Sequence, residues 1–400
     1  MSSSTQVRNA DDNVEEPTGV SPGSWRRLAL LALLVGSIVL VGGGAELIAL
    51  AVLLSLILLH EGGHFLAARA TKMQVHQFFV GFGPVIWSIR RNGVEYGIKA
   101  IPLGGFVKIA GMSSDDLEHP RGYQRSGALQ KLVVVAAGPA TNLLIGLFVA
   151  FITLSAVGLP EAGTTIAKVD PRLGAAAAGV RPGDQLVAVN GTAVETWSDL
   201  TKAVDATEPG SFVQVAVQRG ELKYQYTVRV LLDAGVRRVG VQADTQNVTL
   251  GLGASASGSV QAVSDVARAS LTGVRNLATG FTGLVRGVFG ASVDPASRPL
   301  SPVGAVQVGA EIGGRGLFDA LNLVMLYSTF LAVFNLLPIP PLDGGRMLIV
   351  VIEKALGTVR RKKVEVPVRL IQQVGTAVAM ALLAVGLIAV ILDITQPVLQ

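Results

Sequence analysis

The residues best equipped for chemistry are His60, Glu61 and His64, in the run Leu58-Leu59-His60-Glu61-Gly62-Gly63-His64-Phe65. An apolar run from Leu47 leads into them, so they read as part of a membrane helix. Residues four apart on a helix share a face. His60 and His64 therefore offer two imidazoles to one metal ion, with Glu61 beside them as general base. The chemistry of that spacing is zinc-assisted hydrolysis. The competing reading is two histidines at a membrane edge without a metal. The chain has only four histidines, so a chance match is on the order of 0.1 %. An intramembrane charge such as Glu61 is also costly unless it has work to do. The metal reading is the stronger one. Glycine costs a helix about 1 kcal/mol per residue, so Gly62 and Gly63 imply a close approach to the backbone.

Two further stretches place polar groups at membrane depth. Leu317 to Leu337 is apolar and runs into Asn335-Leu336-Leu337-Pro338-Ile339-Pro340-Pro341-Leu342-Asp343-Gly344-Gly345. Three prolines and two glycines cannot continue a helix. Irregular backbone inside a membrane survives only when buried in protein or lining a cavity. Asp343 there needs a partner, and a metal is a good one; the alternative is a solvated loop in which Asp343 caps the next helix. Gly138-Pro139-Ala140-Thr141-Asn142 lies in the first half of the apolar stretch Leu132 to Leu159. Pro139 removes a helix hydrogen bond, and Asn142 brings an amide into the membrane. A kinked helix whose Asn bonds to a neighbour explains it equally well.

Half of the residues are hydrophobic and 15 % are charged, with a mean hydropathy of +0.53. That is the composition of a membrane protein. There is no cysteine, which excludes disulfides and thiolate metal sites. The net charge of +5 fits basic cytoplasmic loops better than nucleic-acid binding.

The elements that must position these groups follow in order. Residues 1–27 read as a disordered cytoplasmic N-terminus. Residues 28–44 read as an extra N-terminal span, short for the task, with a signal peptide as the competing reading. Residues 45–68 form the span with the histidines. Residues 69–131 hold nine Lys/Arg against four Asp/Glu and form a cytoplasmic loop. In it, Val85 to Ile89 and Glu95 to Ala100 flank Asn92-Gly93, a β-hairpin signal, and Leu103 to Ile109 suggests another strand. Residues 132–159 are the next span.

Residues 163–243 are α+β in pattern. Ala176 to Gly191, with Gly179-Val180-Arg181-Pro182-Gly183-Asp184 at its centre, looks like a PDZ domain of the bacterial protease type, with Trp197 to Val204 as its helix. PDZ domains bind chain ends or extended peptides by strand addition. In 244–316, helical apolar spacing from Ser259 to Val288 fits an amphipathic helix on the membrane surface or one packed on a domain, followed by a linker. Residues 317–345 are a span, 346–369 a basic cytoplasmic segment, and 370–400 the last span and C-terminus. Basic loops stay inside. The five spans then put both termini on opposite sides, the PDZ-like domain outside, and His60, His64 and Asp343 toward the cytoplasmic ends of their helices.

At this point the chain resembles the site-2 protease family of intramembrane zinc metalloproteases, in its PDZ-bearing bacterial branch and with an actinobacterial look to the hairpin region. The matching pieces are His60 to His64, Val80-Gly81-Phe82-Gly83-Pro84 with Ile101 to Phe106, Gly138 to Asn142, the PDZ-like segment, and Asn335 to Gly345. The resemblance implies a polytopic α-helical membrane protein of about five spans, with a membrane-associated β-hairpin and an inserted extracytoplasmic PDZ domain. It implies Zn2+ held by His60, His64 and Asp343, catalysis by Glu61, and Asn142 and Asn335 as substrate-binding residues. It implies single-span membrane proteins as substrates, such as anti-sigma factors or remnant signal peptides. They would be cut in the cell membrane after an upstream site-1 type protease has acted. A PDZ-bearing membrane adaptor with a structural zinc site is the alternative, but such a site needs no general base, and Glu61 is present.

Overall fold

The computed structural model describes residues 44–112, 116–233, 235–288, 302–314, 316–362 and 364–395. The expected disordered start and nearly all of the extra span, 28–44, lie outside the described residues. The chain divides into two compact units, residues 152–254 and the remainder. In chain order the main elements are α1 (Gly44–Ala70), β1 (Val75–Arg91), β2 (Val94–Ile109) and α2 (Ala128–Ile152). Strands β3 (Leu159–Val169), β4 (Gln185–Val189) and β5 (Thr192–Ala193) follow, then α3 (Trp197–Asp205), β6 (Phe212–Arg219), β7 (Leu222–Arg229) and β8 (Val241–Val248). The helices α4 (Leu252–Val288), α5 (Pro302–Gly313), α6 (Leu317–Asn335), α7 (Asp343–Arg360) and α8 (Val368–Thr395) complete the described chain.

Among the described residues, four helical segments are long and apolar enough to cross a membrane: Leu47–Ala70, Ala128–Val157, Leu317–Asn335 and Val368–Ile391. The basic segment after Asp343 is mostly helix α7 rather than an open loop. Helix α5 lies in a region expected to be linker. Its glycines and β-branched residues are poor helix formers, and tertiary packing overrides them. Gly309 is buried, and a Cβ there would stand 2.8 Å from Tyr327 Oη and 3.4 Å from Ala49 Cβ. The missing side chain lets α5 press against α1 and α6.

The hairpin is longer than expected. Asn92 and Gly93, with φ of 50° and 75°, make the turn that twists correctly for a hairpin. Both strands then fold back across themselves. Gln77 to Val80 pair with Gly105 to Lys108 and also face Glu95 to Ile98, while Glu95 to Ile98 also pair with Trp87 to Arg90. Glu95 to Ile98 is thus an inner segment of the sheet. Its outer segments are 85–91 and 105–109.

In the second unit the strand order is β8-β3-β4-β6-β7, with β5 beside β4. Leu159 pairs with Val248, so the sheet reaches a few residues beyond the expected 163–243 on each side. Alternation builds its core: Val213, Val215 and Val217 on β6 are buried and their neighbours face outward, as a pleated strand requires. Thr196 and Asp199 form a capping box that starts α3, fixing two otherwise unpaired backbone donors.

Asp184 is fully buried and accepts two bonds from Arg219, at 2.6 and 2.8 Å, and one from the Arg181 N–H at 2.9 Å. The Arg219 guanidinium holds its carboxyl below the usual carboxylate range. A group whose folded pKa is depressed stabilises the fold above its unfolded pKa, about 3.9, and that stability is lost as pH falls through the folded value. Asp184→Asn should therefore destabilise this unit by about 1.5–3 kcal/mol at neutral pH. Its unfolding should also depend less on pH below about 4. Denaturant melts followed at Trp197 across that range check both.

Candidate active site

Helix α1 carries His60 and His64, one turn apart, with Glu61 next to His60, as the apolar run predicts. Asp343 reaches them from the first residue of α7. After α6 ends, the chain doubles back: Leu342 N–H donates to Ile339 O at 3.0 Å and Gly345 N–H to Leu342 O at 3.1 Å. Three prolines make this tight reversal; Gly344 and Gly345, expected to break a helix, instead lie in the first turn of α7, buried against the backbone of the reversal, and the arrangement aims Asp343 at the histidines. Asp343 thus begins a helix and also meets the imidazoles; the two sequence readings of it are compatible.

The three side chains converge. Asp343 Oδ2 is 3.1 Å from His60 Nε2 and 3.1 Å from His64 Nε2, and the two Nε2 atoms are 3.2 Å apart. Tetrahedral zinc ligands at about 2.0–2.1 Å stand about 3.3–3.4 Å from one another. The triad therefore fits a zinc ion with small adjustments, and the set of two imidazoles and one carboxylate suits that metal. Both histidines are buried, at 6 % and 8 % exposure.

Helix α2 forms the back wall. His64 Nδ1 donates to Val134 O at 2.7 Å, the orientation in which Nε2 keeps its lone pair for a metal. Gly138 lies directly against the two rings. A Cβ there would stand 2.6 Å from His60 Nε2 and nearer still to His64 Nε2. Gly63 likewise admits α2, since a Cβ would collide with Thr141 Oγ1 and Ala137 O; Gly62 has nothing within 4 Å of that position. The close approach expected at both glycines holds at Gly63. Asn142 is fully buried and sits behind His60, its Nδ2 at 3.4 Å from His60 Nδ1.

A pocket of about 250 Å³ opens on the triad. Glu61 lines it with Phe106, Val107, Asn335, Met112 and Arg346. Asn335 faces this space while its Nδ2 donates to Leu331 O at 3.0 Å. The outer sheet segment at Phe106 to Ile109 forms one wall. A second cavity, of about 300 Å³, shares Met112, Pro341 and Arg346 with the first. In it Lys131 Nζ lies 3.7 Å from Glu353 and 5.3 Å from the centre of the Tyr123 ring.

Sequence reasoning passed over Gly138 as a site residue, although it noted the motif. It also missed Val134, whose carbonyl carries no signal in its side chain. Arg346 and the buried Lys131–Glu353 pair were read only as loop charges; a lysine leading an apolar run was the available signal.

The model of peptidase family M50 matches residues 48–382. Zinc metalloprotease Rip1 of Mycobacterium tuberculosis is 32 % identical over 401 residues, covering 89 % of this chain and 98 % of that protein. Rip1 of Mycolicibacterium smegmatis is 32 % identical over 361 residues, covering 80 % and 88 %. Membrane metalloprotease ARASP of Arabidopsis thaliana is 31 % identical over 373 residues, covering 86 % and 77 %. Among solved structures, the PDZ domain of an SdrC-like protein from Listeria monocytogenes is similar to 21 % of this chain, covering 90 % of that domain, with 17 % identity and a TM-score of 0.19. The match to the family spans the helix with the two histidines, the carboxylate that closes the triad and most of what lies between and beyond. This chain belongs to peptidase family M50, the site-2 proteases, and is a zinc metalloendopeptidase of the membrane.

Proposed function

We propose that this enzyme hydrolyses peptide bonds inside the transmembrane segments of single-span proteins, as the second cut in regulated intramembrane proteolysis. The observation that carries the reading is the placement of the triad: both histidines lie on a helix apolar enough to span a membrane, next to a pocket that Glu61 also lines. His60, His64 and Asp343 would hold the zinc, which would supply Lewis acidity toward a peptide carbonyl and toward water. Glu61 takes a proton from the attacking water on its carboxylate and returns it to the departing amine. Asn335, facing the pocket, donates to the substrate backbone or the developing oxyanion.

A helical peptide bond is closed to attack, so the substrate must unwind. The outer sheet segment at Phe106 to Ile109, in the pocket wall, suits an extended substrate by strand addition. Residues Glu95 to Ile98 are paired on both sides within the sheet, so proline there would break the sheet itself. The basic loops favour an active site toward the cytoplasmic side of the cell membrane and a PDZ-like unit outside. That unit would admit substrates already trimmed by an upstream site-1 type protease, such as anti-sigma factors or remnant signal peptides. The lipid bilayer is the constant partner; nucleic acid has no part in this reading.

The test uses the full chain in detergent and a model single-span substrate. Cleavage within the apolar segment, lost on treatment with a zinc chelator and restored by added zinc, is the expected result. Cleavage confined to the soluble flanks, or unaffected by chelation, would overturn the reading.

A further inference from the structure

We infer that Asn142 is a positioning residue for the metal: its side-chain oxygen accepts the Nδ1 hydrogen of His60 and so holds that ring in the tautomer that binds zinc. This inference rests on the assignment of His60 as a zinc ligand. It gives Asn142 a different task from the substrate contact that the family resemblance implies.

The observations are geometric. His60 points Nε2 at Asp343 and His64, so Nε2 is the nitrogen that meets a metal. A neutral imidazole that gives Nε2 to a metal carries its hydrogen on Nδ1 and must donate it to an acceptor. For His64 that acceptor is Val134 O. For His60 the group facing Nδ1 is the Asn142 amide, at 3.4 Å.

That amide has an acceptor to spare. Asn142 Oδ1 is buried and makes no hydrogen bond among the described residues. A half turn of the amide exchanges Nδ2 and Oδ1 at almost no steric cost, because the two are nearly the same size. Oδ1 then meets Nδ1–H. The backbone that carries the amide is tied to α6: Ser328 Oγ donates to the Asn142 backbone oxygen at 2.8 Å. Asn142 has no exposed surface, so a substrate cannot reach it without parting the helices, whereas His60 already touches it. An amide suits the place better than a hydroxyl or a methyl group, because its oxygen extends far enough to reach the ring.

The experiment measures zinc affinity by competition with a chelator for wild type, Asn142→Leu and Asn142→Asp in the full-length protein. Cleavage is followed as free zinc is raised. Leucine keeps the volume and removes the acceptor, so its zinc affinity should fall about 10–100-fold, with cleavage returning at high zinc. Aspartate can accept but its carboxylate has no N–H to donate, so its affinity should stay within a few-fold of wild type. The inference is overturned if Asn142→Leu binds zinc as tightly as wild type while losing cleavage, which would restore the substrate role. It is also overturned if Asn142→Asp loses affinity; where the leucine variant fails to fold, the aspartate variant decides alone. A wild-type protein that binds no zinc would instead contradict the assignment of His60 as a ligand, and the two failures are therefore distinguishable.

Discussion

Glu61→Gln should retain its zinc and cleave its substrate about 10²–10⁴-fold more slowly. Glu61 is not one of the three groups whose ligand atoms cluster. Its carboxylate lines the same pocket as the triad, beside Val107 and Phe106. Glutamine keeps the size of the side chain and can still hydrogen-bond, but it cannot accept a proton from water at neutral pH. The loss should therefore appear in the chemical step, with substrate binding and zinc content preserved. Zinc per chain by elemental analysis and single-turnover cleavage separate the two quantities. A variant that loses zinc along with turnover would make Glu61 a ligand.

Gly138→Ala should remove the metal by adding one methyl group. The new Cβ would stand 2.6 Å from His60 Nε2 and closer to His64 Nε2, where the metal must also fit. The rings cannot retreat freely: His64 is tied to Val134 O, and both are packed between α1 and α2. Overpacking a core costs about 1–3 kcal/mol in general. Here the cost falls on the two atoms that bind zinc, so occupancy and cleavage should each drop more than tenfold. Gly62→Ala is the matched control. Nothing lies within 4 Å of its added Cβ, and it should keep full zinc. Wild-type occupancy in Gly138→Ala would mean that α2 does not press on the histidines as described.

The triad was legible because its parts obey local rules. The histidine pair follows from helical spacing alone; the cost of a carboxylate among prolines at membrane depth made Asp343 a candidate, and the family resemblance made it the third ligand. The hairpin turn was legible from Asn92-Gly93, but the sheet was not. Each long strand pairs with two segments of the other, and a period-two pattern does not say which of several apolar segments will be neighbours. Helix α5 was missed because its residues disfavour a helix in isolation and are held by packing against α1 and α6. Gly138 and Val134 were missed for a related reason. One acts by lacking a side chain and the other through its backbone, so neither shows its task in its own chemistry. Asn142 showed its polarity but not its direction, and only the packing of α2 on α1 and α6 turns it toward His60.

The account stands most directly on Asp343 as the ligand that arrives from a distant helix. The deciding measurement is the zinc-to-protein ratio of Asp343→Ala beside wild type, after equilibration at the same free zinc, with cleavage of one transmembrane substrate read on the same samples. The account predicts close to one zinc per wild-type chain, and a variant that loses zinc and cleavage together. An Asp343→Ala protein that keeps wild-type zinc and still cuts would contradict it.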